Sequence, residues 1–139
     1  MTTATHAKGL EGVIAAQTEM SFINGTEGIL EYVGIAIGDL ASNSSFEETV
    51  FLLWNKRLPT KSELESFTEG LRANYTMCEA MKQRIKACPI DAEPMHVLRT
   101  LVSSMAMDDP TPNENSVEAA REKSLQILAT TPAVVAGFD

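Results

Sequence analysis

From Ser44 onward, apolar residues recur at intervals of three and four, and the recurrence is repeatedly cut by proline or by a helix-capping pair. Such a stretch buries its apolar groups as a set of short packed helices, since each proline ends one helix and forces the next stripe to start afresh. Ser44-Ser45-Phe46-Glu47-Glu48 offers a side-chain oxygen to free amides and a Glu three positions on, the reciprocal pair that opens a helix. A helix is expected over 46–54, with Phe46, Val50, Leu53 and Trp54 on one face and a break at Leu58-Pro59-Thr60. Thr60 with Glu63 repeats the pair, and Leu64, Phe67 and Leu71 give a second stripe ending within 70–74. Met77, Met81, Ile85 and Cys88 make a third, stopped by Pro89. Asp91-Ala92-Glu93-Pro94 starts a fourth, with acids near the amino end and a proline where its missing N–H costs least. Leu98, Leu101, Val102 and Met105 form the cleanest apolar face of the chain, and Ser103, Ser104 and Ala106 leave room for a neighbouring helix. After a loop at 108–113, a fifth helix is expected over 115–129, carrying Val117, Ala120, Ile127 and Leu128 and interrupted by Thr131-Pro132.

The segment before Ser44 reads differently. From 9 to 40 the chain is rich in Gly, Val, Ile and Thr, and is expected to be a hairpin with extended flanks. Val13-Ile14-Ala15 and Ser21-Phe22-Ile23 precede Asn24-Gly25-Thr26-Glu27-Gly28, and Ile29-Leu30-Glu31-Tyr32-Val33 follows it. Asn24-Gly25 supplies residues that accept positive φ at a tight reversal. At 139 residues, with 44% apolar and 22% charged content, the chain has material for one mainly helical domain and none of the signatures of disorder or of a disulfide scaffold. Its ending, Ala133-Val134-Val135-Ala136-Gly137-Phe138-Asp139, is apolar where free termini are usually polar, so a truncated domain continuing beyond Asp139 is expected.

Eleven basic against nineteen acidic residues give a net charge of −8, which disfavours nucleic acid and anionic membranes as partners. No apolar run reaches the roughly 20 residues that span a bilayer, and no greasy leader opens the chain, so a cytoplasmic protein is expected. Chemistry-bearing residues are sparse. Cys78 and Cys88 read as reduced thiols, without the company of a zinc site. His6 lies near the start, and His96 stands alone in the first turn of the fourth helix. Asp108-Asp109 lacks the spaced ligands of a calcium loop and reads as a solvated turn. Lys82, Arg84 and Lys86 read as a solvated helix face, and the glycines match no phosphate-binding loop. No catalytic, cofactor-binding or metal-binding residue is expected within 1–139.

Taken in order, the residues resemble the amino-terminal part of citrate synthases. Thr18, Ser21, Ile23 and Gly25 are similar to that family's T-x-x-S-x-I-x-G, and Gly28, Leu30, Tyr32 and Gly34 to its G-x-L-x-Y-x-G. Gly9-Leu10-Glu11-Gly12-Val13, Ile37-Gly38-Asp39-Leu40-Ala41, Leu52-Leu53, Leu58-Pro59-Thr60, Pro94-Met95-His96-Val97-Leu98-Arg99-Thr100 and Thr131-Pro132-Ala133-Val134-Val135-Ala136 continue the likeness in the family's order. The chain departs from the family's usual Y-R-G-Y at Tyr32-Val33-Gly34-Ile35, and from H-P-M-D at Glu93-Pro94-Met95-His96. The resemblance implies part of the helical large domain, without the small domain, of an enzyme that condenses acetyl-CoA with oxaloacetate. The Asp and His groups that move protons in that reaction belong to family segments beyond Asp139, so the stretch alone is expected to be inactive. By the same resemblance the third and fourth helices (77–88 and 94–107) lie at the interface of a homodimer or higher homo-oligomer. Met77, Met81, Ile85, Leu98, Leu101, Val102 and Met105 are then the interface candidates, and their strong apolar stripe agrees with burial on more than one side. Two alternatives stand beside this reading: a 2-methylcitrate synthase, which uses propionyl-CoA, and a non-catalytic helical oligomerisation module derived from the same fold.

Overall fold

Asn24 reverses the chain with its side chain. In the computed structural model, which describes residues 9, 12–14 and 16–138, the Asn24 Oδ1 accepts the amides of Thr26 (3.1 Å) and Glu27 (3.2 Å). This turn joins strand β1 (Ser21–Asn24) to β2 (Ile29–Tyr32), paired antiparallel with Ser21 opposite Tyr32 and Asn24 opposite Ile29. The expected hairpin is therefore present, but positive φ falls on Gly28 (+70°) and not on Asn24-Gly25, because the Asn24 side chain does the turning and the left-handed residue closes the loop. A second reversal follows at once. Val33 (φ 51°) and Gly34 (φ 77°) form a two-residue turn into β3 (Ile35–Ala36), giving a sheet in the order β1-β2-β3. Two successive positive φ angles suit the right-handed twist of the flanking strands, though a β-branched valine adopts one of them at a cost.

The extended region stops at Ala36, short of the expected position 40. Helix α1 (Ile37–Asn43) follows directly, with Asp39 in its first turn, Leu40 buried, and the Asn43 side-chain amide donating to the Asp39 carbonyl. Helix α2 (Phe46–Asn55) opens on the capping box read from sequence, with Ser45 as its cap and Glu48 as the returning carboxylate. Its buried face is rotated from the expected one: Phe51 and Leu52 are buried, whereas Phe46 is exposed. Val13 and Ile14 lie outside the strands, and Ala15, like His6, Leu10, Glu11 and Asp139, lies outside the described residues. Backbone contacts group Met1–Thr60 as one compact unit and Lys61–Asp139 as a second.

The second unit is all helical: α3 (Lys61–Ala73), α4 (Glu79–Ala87), α5 (Pro94–Ser104), a short 3-10 turn (Met105–Met107), and α6 (Val117–Phe138). Helix α6 packs against α3, α4 and α5. Pro89 and Pro94 fall where sequence places a stop and a start. Pro132 does not interrupt, and α6 runs through it for 22 residues. Its missing N–H leaves only the Leu128 carbonyl without its usual donor, and Pro132 itself is exposed, so water can serve that oxygen. Burial of Ala129, Thr130 and Val134 on either side holds the helix continuous. The core joins Met81 and Ile85 of α4, Val97 and Leu101 of α5, and Val134 of α6, with Met77, Cys88, Leu98, Met105 and Phe138 packed around it.

Candidate functional site

The loop after α5 is pinned from two sides. Arg84, in the last turn of α4, donates to both carboxylate oxygens of Asp108 at 2.5 and 2.8 Å, a two-pronged pair that fixes the end of the 3-10 turn. Hydrogen bonding from Arg84 holds the Asp108 carboxyl below its ordinary range, and the carboxylate in turn raises the guanidinium pKa. The Asp109 carboxylate accepts the Thr111 amide at 2.7 Å and lies 3.3 Å from the Lys123 ammonium of α6. Its pKa is lowered first by that amide and then by Lys123. Lys123 also donates to the carbonyls of Thr111 and Glu114, tying the loop onto α6. Asp108-Asp109 is thus a doubly ion-paired anchor and not the solvated turn read from sequence. Arg84 correspondingly leaves the solvated face assigned to it, because Asp108, 24 residues away, is folded against it.

Beside this anchor lies an open polar cleft of about 190 Å³, bounded by the ends of α3 and α4, by Asp108 and Asp109, and by α6. Cys78 caps α4, its sulfur accepting the Met81 amide at 3.4 Å and standing 3.9 Å from the Asp108 carboxylate. Gln126 and Thr130 of α6 and Asn74 after α3 line the cleft. A second hollow of about 120 Å³ is apolar and sits between Met95, Val97 and Leu98 of α5 and Val134, Val135 and Phe138 of α6.

Six of the seven interface candidates gather: Met81, Ile85 and Leu101 are buried in the core of this chain and Met77, Leu98 and Met105 are half-buried around it, while Val102 is half-buried elsewhere on α5. Both cysteines are free thiols, and Cys88 donates to the Arg84 carbonyl. His96 is exposed on the first turn of α5. Among the described residues no group of three or more His, Cys, Asp or Glu is arranged to hold a metal ion, and no helix is long and apolar enough to cross a membrane. Sequence reasoning missed the Arg84–Asp108 and Asp109–Lys123 anchors. Their only signal in sequence is one of charge, and nothing local marks which partners meet.

Residues 9–139 match the family model for the citrate synthase C-terminal domain. The citrate synthase of Deinococcus radiodurans is 38% identical over 133 residues, covering 96% of this chain and 35% of that protein. The 2-methylcitrate synthase 1 of Corynebacterium glutamicum is also 38% identical, over 129 residues, covering 93% of this chain and 34% of that protein. The fold is similar to citrate synthase from Thermoplasma acidophilum, solved as a ternary complex with carboxymethyl coenzyme A and oxaloacetate, with a TM-score of 0.85 at 25% identity, over 94% of this chain and 34% of that one. The chain spans about a third of the length of these relatives. With its motifs, fold and family match in agreement, the chain belongs to the citrate synthase family.

Proposed function

We propose that the chain is the amino-terminal helical portion of a cytoplasmic acyltransferase that condenses acetyl-CoA with oxaloacetate to give citrate and CoA. The observation that carries this reading is the match of residues 9–139 to the family, together with 38% identity to a citrate synthase over 96% of the chain. Condensation needs a base to remove a methyl proton and donors to stabilise the enolate and the forming alcohol. The described residues bring together no such set: His96 is exposed, and each acid beside the polar cleft is already ion-paired. On this reading the stretch alone turns over no acyl-CoA, because the resemblance puts the family's proton-moving Asp and His groups in other segments. In the assembled enzyme the faces of α4 and α5 meet their symmetry mates in a homodimer, with Met77, Leu98, Val102 and Met105 at the contact, and Met81, Ile85 and Leu101 supporting them from beneath.

A thiol-release assay tests the assignment. The chain alone should release no CoA, and a chimera in which it replaces the matching third of the Deinococcus radiodurans enzyme should release CoA from acetyl-CoA. Turnover by the chain alone would refute its inactivity. A chimera that folds and stays silent would refute the assignment of this portion. The equal identity to a 2-methylcitrate synthase favours propionyl-CoA as the second reading, so faster release from propionyl-CoA by the full-length protein would select it.

A further inference from the structure

The turn between β1 and β2 carries the pair Asn24-Gly25, and its geometry sets Asn24 apart from the other five asparagines of the chain. At Asn43, Asn55 and Asn74 the carboxamide is turned back, its nitrogen donating to the carbonyl four residues earlier. The backbone amide that follows each of them is also engaged: Ser44 donates to the Leu40 carbonyl at 2.9 Å, Lys56 to Leu52 at 2.7 Å and Tyr75 to Arg72 at 3.2 Å. After Asn113 the Glu114 amide donates to the Thr111 carbonyl, and after Asn115 the Ser116 amide donates to the Glu114 carboxylate. Asn24 instead reaches forward. Its Oδ1 accepts the amides of Thr26 and Glu27 and its Nδ2 donates to the Glu27 carboxylate at 2.9 Å, so the carboxamide is held across the Gly25 peptide. Gly25 lies beyond the last cross-strand pair, Asn24 with Ile29, and its amide has no acceptor among the described residues. It is exposed and carries no Cβ to block a close approach.

These are the parts of an intramolecular acyl transfer: a nucleophile left free, a carbonyl carbon held near it, and donors already placed at the oxygen where charge develops. We propose that Asn24-Gly25 is a self-deamidating site, at which the free Gly25 amide attacks the carboxamide that Thr26 and Glu27 hold forward over it. The Gly25 nitrogen gives its proton to solvent base and bonds to the Asn24 Cγ; the Cγ–Nδ2 bond breaks, and Nδ2 takes up a proton and leaves as ammonia. Water then opens the cyclic imide. Addition at Cγ leaves an aspartate at position 24, and addition at the main-chain carbonyl leaves an isoaspartate, whose backbone runs through the β-carbon. The sum is one water consumed and one ammonia released, with no oxidation or reduction. Either product undoes the turn. An aspartate sets a carboxylate where Nδ2 donated to Glu27, and an isoaspartate lengthens the backbone path by one atom against the pairing of position 24 with Ile29. Both add a negative charge to a chain already at −8. Water is the only co-reactant, so the β1-β2 hairpin carries a one-way timer.

Peptide mapping by tandem mass spectrometry tests this, on the whole chain incubated folded in mildly alkaline buffer and in parallel in urea. In the folded chain, conversion of amide to acid should run at least roughly tenfold faster at Asn24 than at any other asparagine, with isoaspartate among the products. Gly25→Ala should slow conversion at least roughly tenfold by crowding the attacking nitrogen. A Cβ at Gly25 meets nothing within 4 Å and the backbone there is not left-handed, so this variant keeps the fold. The converted chain, separated by its added charge, should exchange its β1 and β2 amides faster than the parent. An Asn24 that stays intact in the folded chain, whether or not it converts in urea, equal rates at all six asparagines when folded, an undiminished rate in Gly25→Ala, or unchanged amide exchange after conversion would each overturn the proposal.

Discussion

Truncating Leu101 to alanine removes three carbon atoms from the helical core, where the residue is 2% exposed among Met81, Ile85, Val97 and Val134. At about 0.8 kcal/mol per buried methylene, the lost transfer energy is ~2.4 kcal/mol. The cavity adds to it, because helices held on several sides collapse incompletely. A cost of about 3 kcal/mol follows, within the usual range of roughly 2–5 for buried leucines. Val102 on the same helix is the internal control. It is half-buried, so Val102→Ala forfeits about half of two methyl groups, and the better helix propensity of alanine returns about 0.5 kcal/mol. Its net cost should stay below about 1 kcal/mol. Urea unfolding followed by far-ultraviolet circular dichroism separates the two, with Leu101→Ala lowering the midpoint at unchanged slope. On heating, that variant should melt on the order of 12 °C lower. If Leu101→Ala costs less than about 1 kcal/mol, or if Val102→Ala costs as much, the core has been assigned to the wrong face of α5.

Three further outcomes follow from local geometry. Val33→Asn places a residue tolerant of left-handed backbone where φ is 51° and should stabilise the sheet by about 1 kcal/mol, read as a raised urea midpoint; a lower midpoint would mean that valine packing outweighs strain. Asp108 has a folded pKa below its ordinary value near 3.8, so the unfolded chain takes up its proton first as pH falls. Its stabilisation is complete above about pH 4 and is lost as pH drops through the lowered folded value, so Asp108→Asn should flatten the acid limb of melting temperature against pH; an unaltered limb would show the Arg84 pair to be inert. Pro132→Ala restores a donor to the Leu128 carbonyl and should stabilise α6 by up to about 3 kcal/mol, with slower amide exchange in its last two turns; a destabilised variant would show the proline to be required there.

The elements that could be read from sequence are those whose signals are local and complete. Ser45 and Glu48 cap α2 as their spacing predicts, and Pro94 starts α5, because each device acts within one turn of backbone. Helix α1 escaped notice because seven residues are too few to display a period, and its anchor, Leu40, follows a run of strand formers. The rotated face of α2 has a similar cause: Phe46 looks like core by type, yet a first-turn residue is placed by the chain entering the helix. Pro132 misled in the opposite direction, since its local cost is real and burial of Ala129 and Val134 exceeds it. The polar cleft was illegible because Asn74, Asp108 and Thr130 converge only once three helices have packed.

Helix α6, which packs against α3, α4 and α5, is also the last of them in the chain. During synthesis the earlier three helices leave the ribosome without their common partner, their Leu71, Met81 and Leu101 still wet. From the end of α5 at Ser104 to Phe138 is 138 − 104 = 34 residues, so at about 5–20 residues per second the gap lasts roughly 2 to 7 s. That is long beside the collapse of a chain this size, which takes well under a millisecond. The vulnerable species of this protein is therefore a nascent one, and a holdase that covers apolar helix faces should protect it until residue 138 has emerged.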